Sequence, residues 1–115
     1  MNIKISNTIK EIKQDEEIPL IISGPCSAES EQQLLKTCIA LKETKVVHVL
    51  RAGMWKPRTK PGTFEGVGTE GLEWLKKAKD ITGLKTAVEV ANTKHVYEAL
   101  KYGVDFLWIG ARTTV

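Results

Sequence analysis

Apolar and polar positions along this chain follow two periods, and the two periods take turns. Ile18-Pro19-Leu20-Ile21-Ile22 is a short apolar run stopped by Ser23-Gly24-Pro25. That is the pattern of a buried strand and then a turn. Leu34, Leu35, Cys38, Ile39 and Leu41 recur at helical spacing. Ser27 is the expected N-cap of this helix, with Glu29 and Glu31 in a first turn where carboxylates complement the dipole. Val46-Val47-His48-Val49-Leu50 is a second apolar run. The stretch from Arg51 to Gly68 is too rich in Gly, Pro and Thr for helix. Glu70 to about Asp80 is a second helix with Leu72, Leu75 and Ala78 on one face, ended by Thr82-Gly83. Residues 84–90 form a third strand. Asn92 or Thr93 caps a third helix whose Val96, Ala99 and Leu100 are expected to face inward, with Gly103 as its terminator. Residues 105–109 form a fourth strand, ending at Gly110. Residues 1–17 scatter Ile3, Ile5, Ile9 and Ile12 among polar positions and read as a lead-in.

The resulting order is βαβαβαβ. Short, nearly continuous apolar strands alternating with amphipathic helices predict a parallel sheet covered by helices. Right-handed crossovers follow from strand twist. A (β/α)8 barrel needs ~250 residues, and four strands are half of one. The expected fold is therefore α/β, a partial TIM barrel of about four parallel strands and three helices over residues 18–115.

Composition narrows the function classes. With 17 Lys+Arg against 14 Asp+Glu, the net charge of the 115 residues is +3, too small to argue for nucleic acid. Met54-Trp55-Lys56-Pro57-Arg58 imitates a nucleic-acid loop, but one tryptophan and this charge weigh against it. The 42% hydrophobic and 27% charged residues are globular proportions. No run approaches the ~18 apolar residues of a membrane span, and nothing near Met1 resembles a secretory signal. A cytoplasmic protein without membrane partners is expected. Cys26 and Cys38 form no CxxC pair, so a structural disulfide is not expected.

In parallel α/β folds ligands bind at the C-terminal ends of the strands. Four cations fall there: Arg51, Lys56 and Arg58 after the second strand, and Arg112 after the fourth. Such a rim suits a small, highly anionic ligand, because guanidinium forks match phosphate and carboxylate bidentately. Ser27, Thr59 and backbone N–H groups add neutral donors. The competing reading of residues 51–60 is a solvated surface loop. Glu89 lies in the apolar setting Ala87-Val88-Glu89-Val90, where a carboxylate needs a partner. It is either a structural salt-bridge partner or an orienting group for a site cation. Cys26 is the one candidate metal ligand, in a Gly-Pro-Cys-Ser turn. Metal sites want three or four protein ligands, and the sequence offers it no obvious companions. His48 and His95 read as structural, Cys38 as core, and Trp74 and Trp108 as packing residues. Trp55 could shield a ligand or cover the rim.

Three segments, in order, resemble one enzyme family. They are Gly24-Pro25-Cys26-Ser27-Ala28-Glu29, then Leu50-Arg51-Ala52-Gly53-Met54-Trp55-Lys56-Pro57-Arg58-Thr59, then Ile109-Gly110-Ala111-Arg112-Thr113-Thr114. They are similar to 3-deoxy-D-arabino-heptulosonate 7-phosphate (DAHP) synthases of the short class I form, from about residue 18 to the last. The resemblance implies a TIM barrel that condenses phosphoenolpyruvate with erythrose 4-phosphate, the entry to the shikimate pathway and the aromatic amino acids. It implies a divalent metal with Cys26 as a ligand. It implies Arg51 and Lys56 on phosphoenolpyruvate, Arg112 on its phosphate, and Pro57, Arg58 and Thr59 at erythrose 4-phosphate. Lys56 and Glu89 are the catalytic candidates. A homo-oligomer is expected of the full-length enzyme. Lys60 stands where many members have Ser, which perturbs the sugar-phosphate side. The family's other metal ligands, a His, a Glu and an Asp, and a further Lys and Arg lie on later strands. The chain alone is therefore expected to be inactive and to expose two sheet edges.

Two alternatives accompany this reading. A 3-deoxy-manno-octulosonate 8-phosphate synthase shares the barrel and phosphoenolpyruvate but uses arabinose 5-phosphate. It typically carries an Asn near the lysine, where this chain has Lys56-Pro57-Arg58-Thr59. The other alternative is a non-catalytic anion-binding half barrel.

Overall fold

A computed structural model of the chain describes residues 17–55 and 66–110. Residues 1–16 of the lead-in and the predicted site residues Lys56, Pro57, Arg58, Thr59 and Arg112 lie outside the described residues. The elements are β1 (Ile22–Ser23), α1 (Glu31–Glu43), β2 (Val49–Arg51), α2 (Thr69–Thr82), β3 (Lys85–Val90), α3 (Thr93–Lys101) and β4 (Phe106–Ile109). The strands make one parallel sheet in the order β1-β2-β3-β4. The expected α/β alternation, with four parallel strands and three helices, is therefore what forms. β1 and β4 are its two edges.

One apolar layer lies between sheet and helices. Leu50, Ala52, Val88 and Val90 point into it from the strands. Leu34 and Cys38 come from α1, Leu72, Leu75 and Ala78 from α2, and Ala99 from α3. α1 packs along α2. Side chains alternate across a strand, so residues one removed from this layer stand on the other face. Those are Arg51 on β2, Ala87 and Glu89 on β3, and Phe106 and Trp108 on β4, in the register Arg51↔Ala87, Ala87↔Phe106 and Glu89↔Trp108.

Element boundaries differ from the sequence expectation for identifiable reasons. The ladder of β1 begins only at Ile22. Pro19 has no N–H to give, and the Ile21 N–H is taken by the His48 imidazole Nδ1 at 2.9 Å. β2 starts at Val49 rather than Val46. Lys45 sits in the left-handed region at φ 63°, Thr44 Oγ1 accepts the Val46 N–H, and Val46 is 60% exposed. The N-cap of α1 is Ser30 and not Ser27. The Ser30 hydroxyl accepts the Gln33 N–H at 3.1 Å, whereas the chain beside Ser27 is committed elsewhere, through the Ala28 N–H to Gly53 O at 2.9 Å. Asn92 caps α3 as expected, its Oδ1 accepting the His95 N–H at 2.9 Å. Gly83 closes α2 at φ 74°, a left-handed position where glycine carries no Cβ penalty. Leu100 does not face inward: it is 60% exposed beside the exposed Tyr97. α3 packs on α2 and β3 only through the opposite face, with Ala99 buried. Ile39, also placed on an apolar stripe, is exposed.

Asp105 fastens the end of the sheet remote from the strand C-termini. Its Oδ2 accepts the Thr86 N–H at 2.9 Å, its own N–H donates to Thr86 O at 3.1 Å, and Lys79 Nζ lies 3.0 Å from it. Asp105→Ala leaves a buried main-chain donor without its acceptor. It is expected to cost about 1–3 kcal/mol in urea denaturation while leaving ligand binding at the opposite end unchanged. A stability loss below a few tenths of a kcal/mol contradicts this.

Candidate anion-binding site at the strand C-termini

Arg51 ends β2 on the face opposite the helices. Its Nε donates to Gly24 O at 3.3 Å, which joins the turn after β1 to the end of β2. Gly24 is required by that approach: a Cβ there would collide with the Arg51 carbonyl oxygen. A second tie, Ala28 N–H to Gly53 O, closes the other side of the same turn. Gly24-Pro25-Cys26-Ser27 is thus held at both ends against the Arg51–Gly53 segment.

Gln33 reinforces this turn from α1. Its Nε2 donates to Ser27 O at 3.1 Å, and its Oε1 accepts the Glu29 N–H at 3.0 Å. Ser30-Glu31-Gln32-Gln33 has the Ser-x-x-Gln spacing of a capping box. That spacing was the available signal for both the true N-cap and this brace. The Ser27 hydroxyl is buried and has no hydrogen-bond partner among the described residues. Buried polar atoms are ordinarily satisfied, and no described residue supplies the partner of this one.

Ile22, Ser23, Arg51 and Trp108 line an open cavity of about 340 Å³. Trp108 is therefore a cavity wall and not a packing residue of the helix layer. Alternation from the inward Leu107 could have revealed this. Glu89 stands on the same face, paired in register with Trp108 and two residues beyond the Arg51 partner Ala87. Among the described residues no ion pair engages Glu89, so the structural salt bridge to a described Arg or Lys is absent. Gly110 passes against its carboxylate so closely that a Cβ would overlap it. Arg51 and Glu89 are both half-buried. The described part of the rim thus places a cation and an indole at one cavity, with a carboxylate on the same face of the sheet.

The cysteines differ. Cys26 is exposed and Cys38 buried, and burial pushes the Cys38 thiol up to about 11. Thiolate is the reactive form. At neutral pH a thiol reagent is expected to modify Cys26 quickly and Cys38 only after unfolding. Equal rates in the folded protein, read by peptide mass mapping, contradict this. Among the described residues no three His, Cys, Asp or Glu side chains come together to hold a metal ion. On their own they do not make a metal centre.

Both histidines are engaged by the main chain. His48 Nδ1 accepts the Ile21 N–H, and His95 Nδ1 accepts the Ala91 N–H at 3.0 Å. The Trp55 ring stacks on His95, with centroids 3.9 Å apart and planes 9° from parallel, a contact that no local pattern announces.

Residues 2–115 match the model of the DAHP synthetase I family. The chain is 41% identical over 92 residues to the phospho-2-dehydro-3-deoxyheptonate aldolase of Thermotoga maritima, covering 80% of this chain and 27% of that protein. It is 37% identical over 93 residues to a 2-dehydro-3-deoxyphosphooctonate aldolase of Variovorax paradoxus, covering 76% of this chain and 32% of the relative. The crystal structure of the Thermotoga maritima enzyme superposes with a TM-score of 0.73 at 39% identity, over 81% of this chain and 27% of that one. The chain therefore spans about a quarter to a third of the length of these relatives.

Proposed function

Because this chain belongs to the DAHP synthetase I family, and its fold is part of a TIM barrel, we propose that residues 18–115 form the N-terminal half of a DAHP synthase barrel. The complete enzyme condenses phosphoenolpyruvate with erythrose 4-phosphate. The observation that carries this reading is Arg51. Its Nε is committed to Gly24 O, and its side chain lines the open cavity at the strand ends. A guanidinium anchored through Nε can present its two terminal nitrogens to a bidentate anion.

The division of labour follows from the ligand chemistry. Arg51, Lys56 and Arg112 hold the carboxylate and phosphate of phosphoenolpyruvate. Pro57, Arg58 and Thr59 meet the sugar phosphate. Glu89 orients a cation of the site, and Lys56 is the other catalytic group. The enol carbon of phosphoenolpyruvate attacks the aldehyde carbon. Water adds to the carbon that carries the phosphate, and the C–O bond to phosphate breaks to release inorganic phosphate. Holding two reactants in one geometry supplies much of the rate. Cys26 is the ligand this chain offers to the divalent ion that the family implies. The described residues do not complete its coordination. A cytoplasmic homo-oligomer belongs to the same reading. No helix among the described residues is long and apolar enough to cross a membrane.

The octulosonate alternative is supported by the weaker likenesses, at 35–37% identity. Lys56-Pro57-Arg58-Thr59 weighs against it, since Pro57 stands where that enzyme carries its Asn-containing stretch. Titration calorimetry of the complete enzyme with phosphoenolpyruvate tests the anion site itself. Saturable binding, weakened by inorganic phosphate, is expected. No measurable binding contradicts the assignment.

A further inference from the structure

We propose that Trp55 and His95 are a pair of positioning residues. Their stack fixes the point where the chain leaves the end of β2, and ties that point to the first turn of α3. This rests on the functional reading above, in which the residue that follows Trp55 is a substrate-binding lysine.

His95 is oriented independently of Trp55. Its Nδ1 accepts the Ala91 N–H at 3.0 Å, and its own main-chain N–H is capped by Asn92 Oδ1 at 2.9 Å. An imidazole accepting at Nδ1 is neutral and carries its proton on Nε2. Asn92 Nδ2, 3.5 Å from Nε2, is then a second donor, so that contact is not a hydrogen bond. Burial first, and then the neighbouring Lys94, hold the His95 pKa below its ordinary value, which suits the neutral form. The ring is thus a fixed plate at the start of α3, six residues after Glu89.

Trp55 lies flat on that plate. The residue before it is pinned from the other side, since Met54 O accepts the Gly68 N–H at 2.8 Å. Gly71 packs against the Met54 thioether so tightly that a Cβ would collide with it. Between Arg51 and Trp55 the chain is therefore held by Gly24, Ala28, Gly68 and His95 in turn. The stack is the last of these holds, and together with the Ala52 N–H to Ala87 O bond at 3.4 Å it links this segment to the β3 side of the site. A stacked aromatic pair contributes beyond the area it buries.

The test combines hydrogen exchange and steady-state kinetics on the complete enzyme. Trp55→Ala and His95→Ala are each expected to raise the KM for phosphoenolpyruvate about tenfold, with kcat changed by less than about twofold. The double variant should be no worse than the worse single one, because both remove the same contact. Trp55→Phe keeps a stackable ring and should restore most of the affinity. In His95→Ala, amide exchange in a peptide covering residues 53–56 should accelerate about tenfold while that of β3 is unchanged. Additive effects of the two substitutions, or unchanged exchange in that peptide, would overturn the clamp. Accelerated exchange in a protein that, unmutated, binds no phosphoenolpyruvate would leave the clamp standing and remove the functional reading.

Discussion

Arg51→Ala is expected to lower kcat/KM for phosphoenolpyruvate about 100-fold, a loss of ~2.7 kcal/mol in transition-state stabilisation. Hydrogen bonds to charged groups contribute about 1.5–3 kcal/mol each, so the expected loss corresponds to about one such bond to the bound anion. The substitution also removes the Nε donor to Gly24 O, one of the two ties that hold the turn containing Cys26. Arg51→Lys keeps the charge but loses the planar fork and the Nε bond. A loss of about tenfold is expected for it. Unchanged phosphoenolpyruvate affinity in Arg51→Ala would remove the rim assignment altogether.

The largest stability effect is expected at the residue just before it. Leu50 is fully buried in the layer between sheet and helices. Leu50→Ala should destabilise by about 2–5 kcal/mol, through lost transfer energy and the cavity left behind. That is a large share of the ~5–15 kcal/mol that separates folded from unfolded domains. Leu100→Ala serves as the control: the same deletion at an exposed position should change stability by about 0.5 kcal/mol or less. Urea midpoints of the two variants check the contrast, and similar shifts would place the core wrongly.

The two neighbours illustrate how the sheet makes the site. One residue on β2 faces the helices and carries the core, and the next faces the cavity and carries the charge. The alternation of strands with amphipathic helices was legible because each apolar run had the right length and punctuation. Asn92, Gly83 and Gly103 ended or began helices as their chemistry dictates. The strand starts were less legible. An apolar run such as residues 18–22 says nothing about which N–H groups are already spent, and Ile21 spends its own on His48. Leu100 misled because a 3.6-residue period marks a face without saying what packs on it.

The candidate site was legible in part. The position of Arg51 at a strand end, its approach to the Gly-Pro-Cys-Ser turn and its shared face with Glu89 follow from topology that the sequence implies. Trp108 was misread, because an aromatic in an apolar run looks like core until the register decides its side. Gln33 and the Trp55–His95 stack depend on side chains brought together across α1 and its preceding turn, or across β2 and α3. No local pattern encodes the second of these contacts. Lys56, Pro57, Arg58, Thr59 and Arg112 rest on the sequence resemblance.

The function proposed for the complete enzyme is a phosphoenolpyruvate site serving a sugar-phosphate aldehyde of four carbons. The most direct measurement is a paired assay of the complete enzyme, supplied with phosphoenolpyruvate and either erythrose 4-phosphate or arabinose 5-phosphate, with released inorganic phosphate as the readout. Release with erythrose 4-phosphate, and little or none with arabinose 5-phosphate, is the predicted result. A preference for arabinose 5-phosphate, or no release with either aldehyde, would contradict it.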